Sequence, residues 1–266
     1  MKIPCRLAAF DLDGTLLNSD HKLSSQNCEA LQQLAENEIL VVLVSGRMHQ
    51  SIKPISDQIG LENPIISYNG AMVKHATTDE VYHHTPVPAD IAMAIVNDCM
   101  EQDLHLNFCL NDELFVAEKN KWSELYESRT GVPATPVGDL RQLAGKTPTK
   151  LLIIHPPEKL PPLLNSFNSQ YDGKLYVTQT QPEYIEFMNP DVTKGRALTA
   201  LAKRCEIPIE SVVAFGDSYN DESLLKTAGF GIAMENAVTP IKACADHITA
   251  TNDENGVAKA IWKLIL

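Results

Sequence analysis

Positive charge is scarce in this chain of 266 residues: 22 lysines and arginines face 34 aspartates and glutamates, for a net charge of −12. Binding to a nucleic-acid backbone exchanges counterions for a cationic protein face, so this balance excludes nucleic acid as a partner. It also makes an anionic substrate unwelcome unless a metal ion and a local cluster of donors reverse the field where it binds. Long apolar runs are missing too. No stretch approaches the roughly 20 residues of a membrane helix, although 44% of the chain is apolar, enough for a real core. Met1-Lys2-Ile3-Pro4-Cys5-Arg6 leads straight into a strand-like segment, without the apolar h-region or cleavage site of a secretory leader. A cytoplasmic protein with no membrane partner is therefore expected. Six cysteines (Cys5, Cys28, Cys99, Cys109, Cys205, Cys244) form no C-x-x-C pair and have no nearby histidine at zinc spacing. In a reducing compartment they serve as small hydrophobes, and neither a disulfide nor a metal is assigned to them.

What the sequence does contain is alternation. Residues 5–12 form an apolar run of the kind buried in a parallel sheet. Ser24 or Ser25 can cap a helix to about residue 37, with Cys28, Leu31 and Leu34 on one face, and residues 39–44 make a second buried strand. A helix over 48–59 and a strand at 64–67 follow. The last third repeats the grammar: helix 193–204, strand 211–215, helix 220–227, strands near 230–233 and 246–249, and a helix over 256–265. This predicts an α/β fold with a doubly wound, Rossmann-like parallel sheet whose functional loops lie at the carboxyl ends of its strands.

Between about residues 85 and 187 the pattern changes. Paired strands at 104–110 and 113–117 flank Asn111-Asp112, and strands at 174–180 and 183–188 flank Gln181-Pro182. Helices fall at 88–102, 119–130 and 158–170. An α+β module over 85–188 is thus expected inside a core made of 1–84 and 189–266, with Pro86 and Pro88 at its entry and Asn189-Pro190 at its exit. His83 and His84, adjacent on a strand, point to opposite faces and make a poor ligand pair.

Four loops at strand ends or helix starts hold the candidate chemistry. Asp11-Leu12-Asp13-Gly14-Thr15 follows the first buried strand. Two carboxylates two residues apart on extended chain point the same way and repel each other unless a divalent cation sits between them, and hard oxygen ligands suit magnesium. A calcium loop starting at Asp11 needs Gly at its sixth position and Glu at its twelfth, where this chain has Leu16 and Lys22. Val44-Ser45-Gly46-Arg47 closes the second strand, where a hydroxyl followed by a backbone N–H can hold a phosphate oxygen or simply cap the next helix. Thr193-Lys194-Gly195 opens a helix with a cation that opposes the helix dipole, so Lys194 serves something other than helix stability: phosphate charge, or plain solvation. In Gly216-Asp217-Ser218-Tyr219-Asn220-Asp221, Asp217 could complete a magnesium site and Asn220 could bond a phosphate oxygen. Asp221 could ligate through water or orient its neighbours; an ordinary acid-rich helix start is the plain alternative.

Together these are the parts that phosphoryl transfer to an aspartate requires, and along the whole chain they resemble the haloacid dehalogenase superfamily, in particular its Cof-type phosphatases. Phe10-Asp11-Leu12-Asp13-Gly14-Thr15-Leu16-Leu17 matches the first family motif, Ser45-Gly46-Arg47 the second, Lys194-Gly195 the third and Gly216-Asp217-Ser218-Tyr219-Asn220-Asp221 the fourth. Tyr68-Asn69-Gly70-Ala71 resembles a further Cof-type segment near the cap hinge. The resemblance implies that the insertion is a cap that closes over the site, its loops (such as the one near Gly131-Val132-Pro133) choosing the substrate. It implies a magnesium-dependent phosphatase of small phosphorylated metabolites, sugar phosphates or similar phosphomonoesters, in which Asp11 takes the phosphoryl group and Asp13 acts as acid and then as base. The implied magnesium ligands are the Asp11 carboxylate, the Asp13 backbone carbonyl and Asp217. Non-bridging oxygens fall to Ser45, Lys194, Asn220 and the N–H groups of Leu12 and Gly46, with Arg47 and Asp221 in support. Two other functions share the core: a phosphosugar mutase, which needs a sugar bisphosphate, and a non-catalytic phosphometabolite sensor. A sensor is expected to have lost Asp11, Asp13, Lys194 or Asp217, and all four are present.

Overall fold

Segments such as Leu7-Ala8-Ala9-Phe10 offer no polar face, so they are stable as strands only when covered on both sides. In the computed structural model, which describes residues 2–266, they line the middle of an eight-stranded sheet. The first stretch of chain gives β1 (Leu7–Asp11), α1 (Ser25–Glu36), β2 (Leu40–Val44), α2 (His49–Ile59), β3 (Pro64–Ser67), β4 (Met72–His75) and β5 (Val81–His84). An insertion follows with α3 (Ala89–Glu101), β6 (His105–Leu110), β7 (Glu113–Val116), α4 (Lys121–Thr130), β8 (Ala134–Pro136), β9 (Lys150–Ile154), α5 (Leu160–Gln170), β10 (Tyr176–Gln181) and β11 (Tyr184–Met188). The chain then supplies α6 (Lys194–Arg204), β12 (Val212–Gly216), α7 (Glu222–Thr227), β13 (Phe230–Ala233), α8 (Thr239–Cys244), β14 (His247–Ile248) and α9 (Gly256–Ala260). Among the described residues no helix is long and apolar enough to cross a membrane.

The larger sheet runs β14-β13-β12-β1-β2-β3-β4-β5, parallel from β14 to β3, with β4 antiparallel to β3. The fold is the expected α/β one with a parallel core sheet, and β4 and β5 widen it beyond the parallel strands. Ser24 caps α1 through its Oγ, which accepts the Asn27 N–H, and Leu31 and Leu34 of that helix are fully buried.

The chain divides into two units, one running to His83 and resuming at Thr193, the other His84–Val192. Asn189 to Val192 go with the insertion, where Asn189 Nδ2 donates to the Pro86 carbonyl at 3.0 Å. The insertion has its own sheet, β10-β11-β9-β6-β7-β8, and its own core. Asn111 and Asp112 adopt φ of 52° and 65°, the left-handed pair that a tight two-residue hairpin between β6 and β7 requires. β9, like β4 and β8, is a strand that sequence periodicity does not reveal. It lies between β6 and β11 with all five residues buried, so it shows no polar alternation.

One buried side chain ties the segment after Asp11 to the helical layer. Asn27 Nδ2 donates to the Leu16 carbonyl at 2.9 Å, and its Oδ1 accepts the Ala258 N–H at 3.1 Å. An Asn27→Leu substitution leaves both backbone groups buried and unpaired, and should cost about 1–3 kcal/mol for each. Urea denaturation would read this as a lower midpoint; an unchanged midpoint would show that the tie contributes nothing.

Candidate active site

The sheet order decides which loops meet. β1 lies between β2 and β12, all three parallel, with Asp11 level with Val44 and Phe10 level with Phe215. Their carboxyl ends therefore release Asp11, Ser45 and Asp217 along one edge. Gly14 turns the chain there with a φ of 80°, and a Cβ on it would fall 2.5 Å from Asp217 Oδ2, so only glycine lets the two loops approach this closely.

Lys194 enters from the first turn of α6. Its side chain is fully buried, and Nζ donates to Asp11 Oδ1 at 2.6 Å and to Asp221 Oδ1 at 2.5 Å. Asp221 is equally buried, and its second oxygen accepts the N–H groups of Asp217 and Ser218, each at 3.0 Å. Thr15 Oγ1 donates to Asp217 Oδ1 at 2.9 Å. Oxygens of Asp11, Asp217 and Asp221 lie within 4.8 Å of one another.

Three carboxylates around one ammonium leave two negative charges unbalanced. Burial works against charge on Lys194, but Asp11 and Asp221 outweigh it and raise its pKa. Burial also pushes the Asp11 carboxyl well up, with Asp221 adding to the push and Lys194 opposing it. Asp217 is raised to about 6, by burial first and then by Asp221. A hard divalent cation matches both the oxygen donors and the missing charge.

Asp13 stands apart from this cluster. Its carboxylate accepts from Arg47 through Nε at 2.8 Å and Nη2 at 2.5 Å, and His21 Nδ1 lies 3.2 Å away. Burial pushes the Asp13 carboxyl up, but the Arg47 fork and His21 overcome it and hold the pKa below the ordinary carboxylate range. Leu12 and Ser45 are buried, and Ser45 Oγ accepts the Arg47 N–H at 3.2 Å. Asn220 Nδ2 donates to Asn69 Oδ1 at 3.0 Å, and Asn69 also abuts Gly46. Thr15, His21 and Asn69 are the neighbours that sequence reasoning gave no role; for Asn69 the Tyr68-Asn69-Gly70-Ala71 segment was the available signal. The Gly131 loop belongs to the insertion, where Gly131 ends α4, and His83 and His84 end β5. None of these three is in the acidic cluster.

Residues 8–261 match the family model for haloacid dehalogenase-like hydrolases. Phosphatase YwpJ of Bacillus subtilis is 31% identical, over 98% of this chain and 100% of its own length. The 5-amino-6-(5-phospho-D-ribitylamino)uracil phosphatase YitU of the same organism is also 31% identical, over 95% of each chain. Among solved structures, TM0651 of Thermotoga maritima superposes with a TM-score of 0.92 at 30% identity, over 98% of both chains.

The raised pKa of Asp217 has a definite sign in stability. The folded protein holds that proton more tightly than the unfolded chain, so this contribution is full below the ordinary carboxylate pKa and is lost as pH rises through about 6. Without divalent cation, the fall in Tm between pH 5 and pH 7.5 should therefore be smaller for Asp217→Asn than for the unaltered protein. A divalent cation should raise the Tm of the unaltered protein more at the higher pH, where protons no longer compete for the carboxylates. Identical pH slopes for the two proteins would contradict the assignment.

Proposed function

Because the chain belongs to the haloacid dehalogenase-like hydrolases, within their Cof-type phosphatases, we propose that it removes phosphate from small phosphomonoesters, sugar phosphates or metabolites like them, through a covalent intermediate on Asp11. The observation that carries this proposal is the cluster in which Asp11 and Asp221 share the buried ammonium of Lys194, with the Asp217 carboxylate beside them. One magnesium ion, held by the Asp11 and Asp217 carboxylates and the Asp13 backbone carbonyl, would offset charge between the attacking carboxylate and the phosphate. The relative named for a phosphorylated ribitylaminouracil supports a substrate in the class of small phosphorylated metabolites. Cysteines that are all free agree with a cytoplasmic setting.

The remaining steps belong to the chain's own residues. Lys194 holds Asp11 Oδ1, which leaves Oδ2 to attack phosphorus. The bond from Asp11 to phosphorus forms as the bond to the leaving oxygen breaks, and Asp13 gives that oxygen its proton. Water then attacks the aspartyl phosphate, Asp13 takes the proton, and inorganic phosphate leaves with Asp11 restored. Ser45, Lys194, Asn220 and the N–H groups of Leu12 and Gly46 hold the non-bridging oxygens, and such fixed donors usually supply the largest catalytic share. Asp221 keeps Lys194 charged and fixes the loop of Asp217 through two backbone N–H groups.

A phosphate-release screen of the purified protein against phosphorylated metabolites, with and without magnesium, tests the proposal directly; no release across the panel in magnesium would end it. Asp11→Asn should lower turnover on the order of 10⁴-fold or more while preserving the fold. Asp13→Asn should lose about 10²–10⁴-fold on poor leaving groups and less on good ones. Equal losses on both would refute the acid role of Asp13.

A further inference from the structure

Between β3 and β4 the chain makes a turn with three consecutive positive φ angles: Tyr68 at 51°, Asn69 at 55° and Gly70 at 103°. Asparagine and glycine accept such angles readily, whereas a fully buried tyrosine does not, and a side chain bearing Cβ gives up roughly 1–2 kcal/mol to adopt one. The surroundings must hold the turn, and they do so through the candidate phosphate loops. The Tyr68 N–H donates to the Arg47 carbonyl at 2.9 Å and the Asn69 N–H to the Ser45 carbonyl at 3.0 Å. Gly70 lies so close to the Thr193 carbonyl, next to Lys194, that a Cβ there would overlap it.

The side chain carried by this turn is directed into the site. Asn69 is nearly buried, and its Oδ1 accepts from Asn220 Nδ2 at 3.0 Å. The same carboxamide presses against Gly46, where an added Cβ would lie 2.9 Å from Oδ1 and 3.1 Å from Nδ2. Asn69 thus sits between the two groups, from loops 174 residues apart, to which phosphoryl oxygens are assigned above.

We propose that Asn69 is a positioning residue of the phosphate site. Its Oδ1 takes one N–H of the Asn220 carboxamide and thereby aims the other at the phosphoryl group, while its bulk packs against Gly46 and steadies that loop. The left-handed turn exists to hold that one side chain in place. This inference rests on the phosphatase reading, and specifically on Asn220 as a phosphate donor.

The test is a double-mutant cycle with the best substrate from the screen. Asn69→Gly removes the carboxamide and keeps a backbone that tolerates a φ of 55°. With the Tm near that of the unaltered protein, kcat/KM should fall about tenfold and the inhibition constant for inorganic phosphate should rise. Adding Asn69→Gly to Asn220→Ala should then cost little more, because the residue acts through its partner. An Asn69→Gly enzyme with normal kcat/KM, or losses that simply multiply in the double variant, would overturn the positioning role while leaving phosphatase action intact. An Asn220→Ala enzyme with normal kcat/KM and phosphate inhibition would remove the premise itself.

Discussion

The arrangement of the site depends on a shortage of positive charge in a buried place. Asp11 and Asp221 are tied to Lys194, and Asp217 lies beside them, accepting from the Thr15 hydroxyl. An ammonium in the first turn of a helix is badly placed for the helix, and burying it there without partners would be prohibitive. The two carboxylates reverse both objections, because each provides close opposite charge where little water competes. The converse also holds. One lysine cannot satisfy three acids, so the same packing that stabilises Lys194 leaves Asp11 and Asp217 strained toward protonation unless further positive charge arrives. That deficit suits a divalent cation, and a bound cation would let a strongly acidic protein hold an anionic substrate.

Sheet topology converts this local need into a fold requirement. Asp11 and Lys194 are 183 residues apart, and Lys194 and Asp221 a further 27. They meet because β1 is flanked by β2 and β12 in parallel, so loops from remote parts of the chain emerge side by side. Close approach then has to be allowed by the side chains. Gly14 leaves room for Asp217, and Gly216 leaves room for Asp221, where a Cβ would lie 2.5 Å from the aspartate's own Cβ. These glycines are packing requirements set by the carboxylates around them.

Much of this was legible in the sequence because it follows from local rules. An apolar run ending in Asp11, a second ending at Ser45 and a third ending at Asp217 already place three loops at one edge of a parallel sheet. Lys194 was legible by a mismatch, since a cation at a helix start needs a reason. Pairings were not legible. That Asp13 takes Arg47 and His21, that Asp221 divides its two oxygens between Lys194 and the backbone, and that Asn220 takes Asn69 all depend on side-chain directions across loops distant in sequence. β9 escaped notice for a related reason: a strand covered on both faces carries no period of its own.

Asp13 shows what the pairings add. Acting as acid and then base requires it to begin protonated and to finish the first step as a carboxylate. The Arg47 fork and His21 favour the carboxylate, the form that the proposed second step calls for. For the first step the fork must slacken, since a carboxyl gripped by a guanidinium gives up its proton before any leaving oxygen needs it. The Arg47 carbonyl also anchors the Tyr68 turn, whose next side chain holds Asn220. The groups proposed as proton donor and phosphate grip are therefore both tied to Arg47. An arrangement of that kind lets the arrival of a phosphoryl group and the release of Asp13 bear on each other through direct contacts, with no motion of the sheet required.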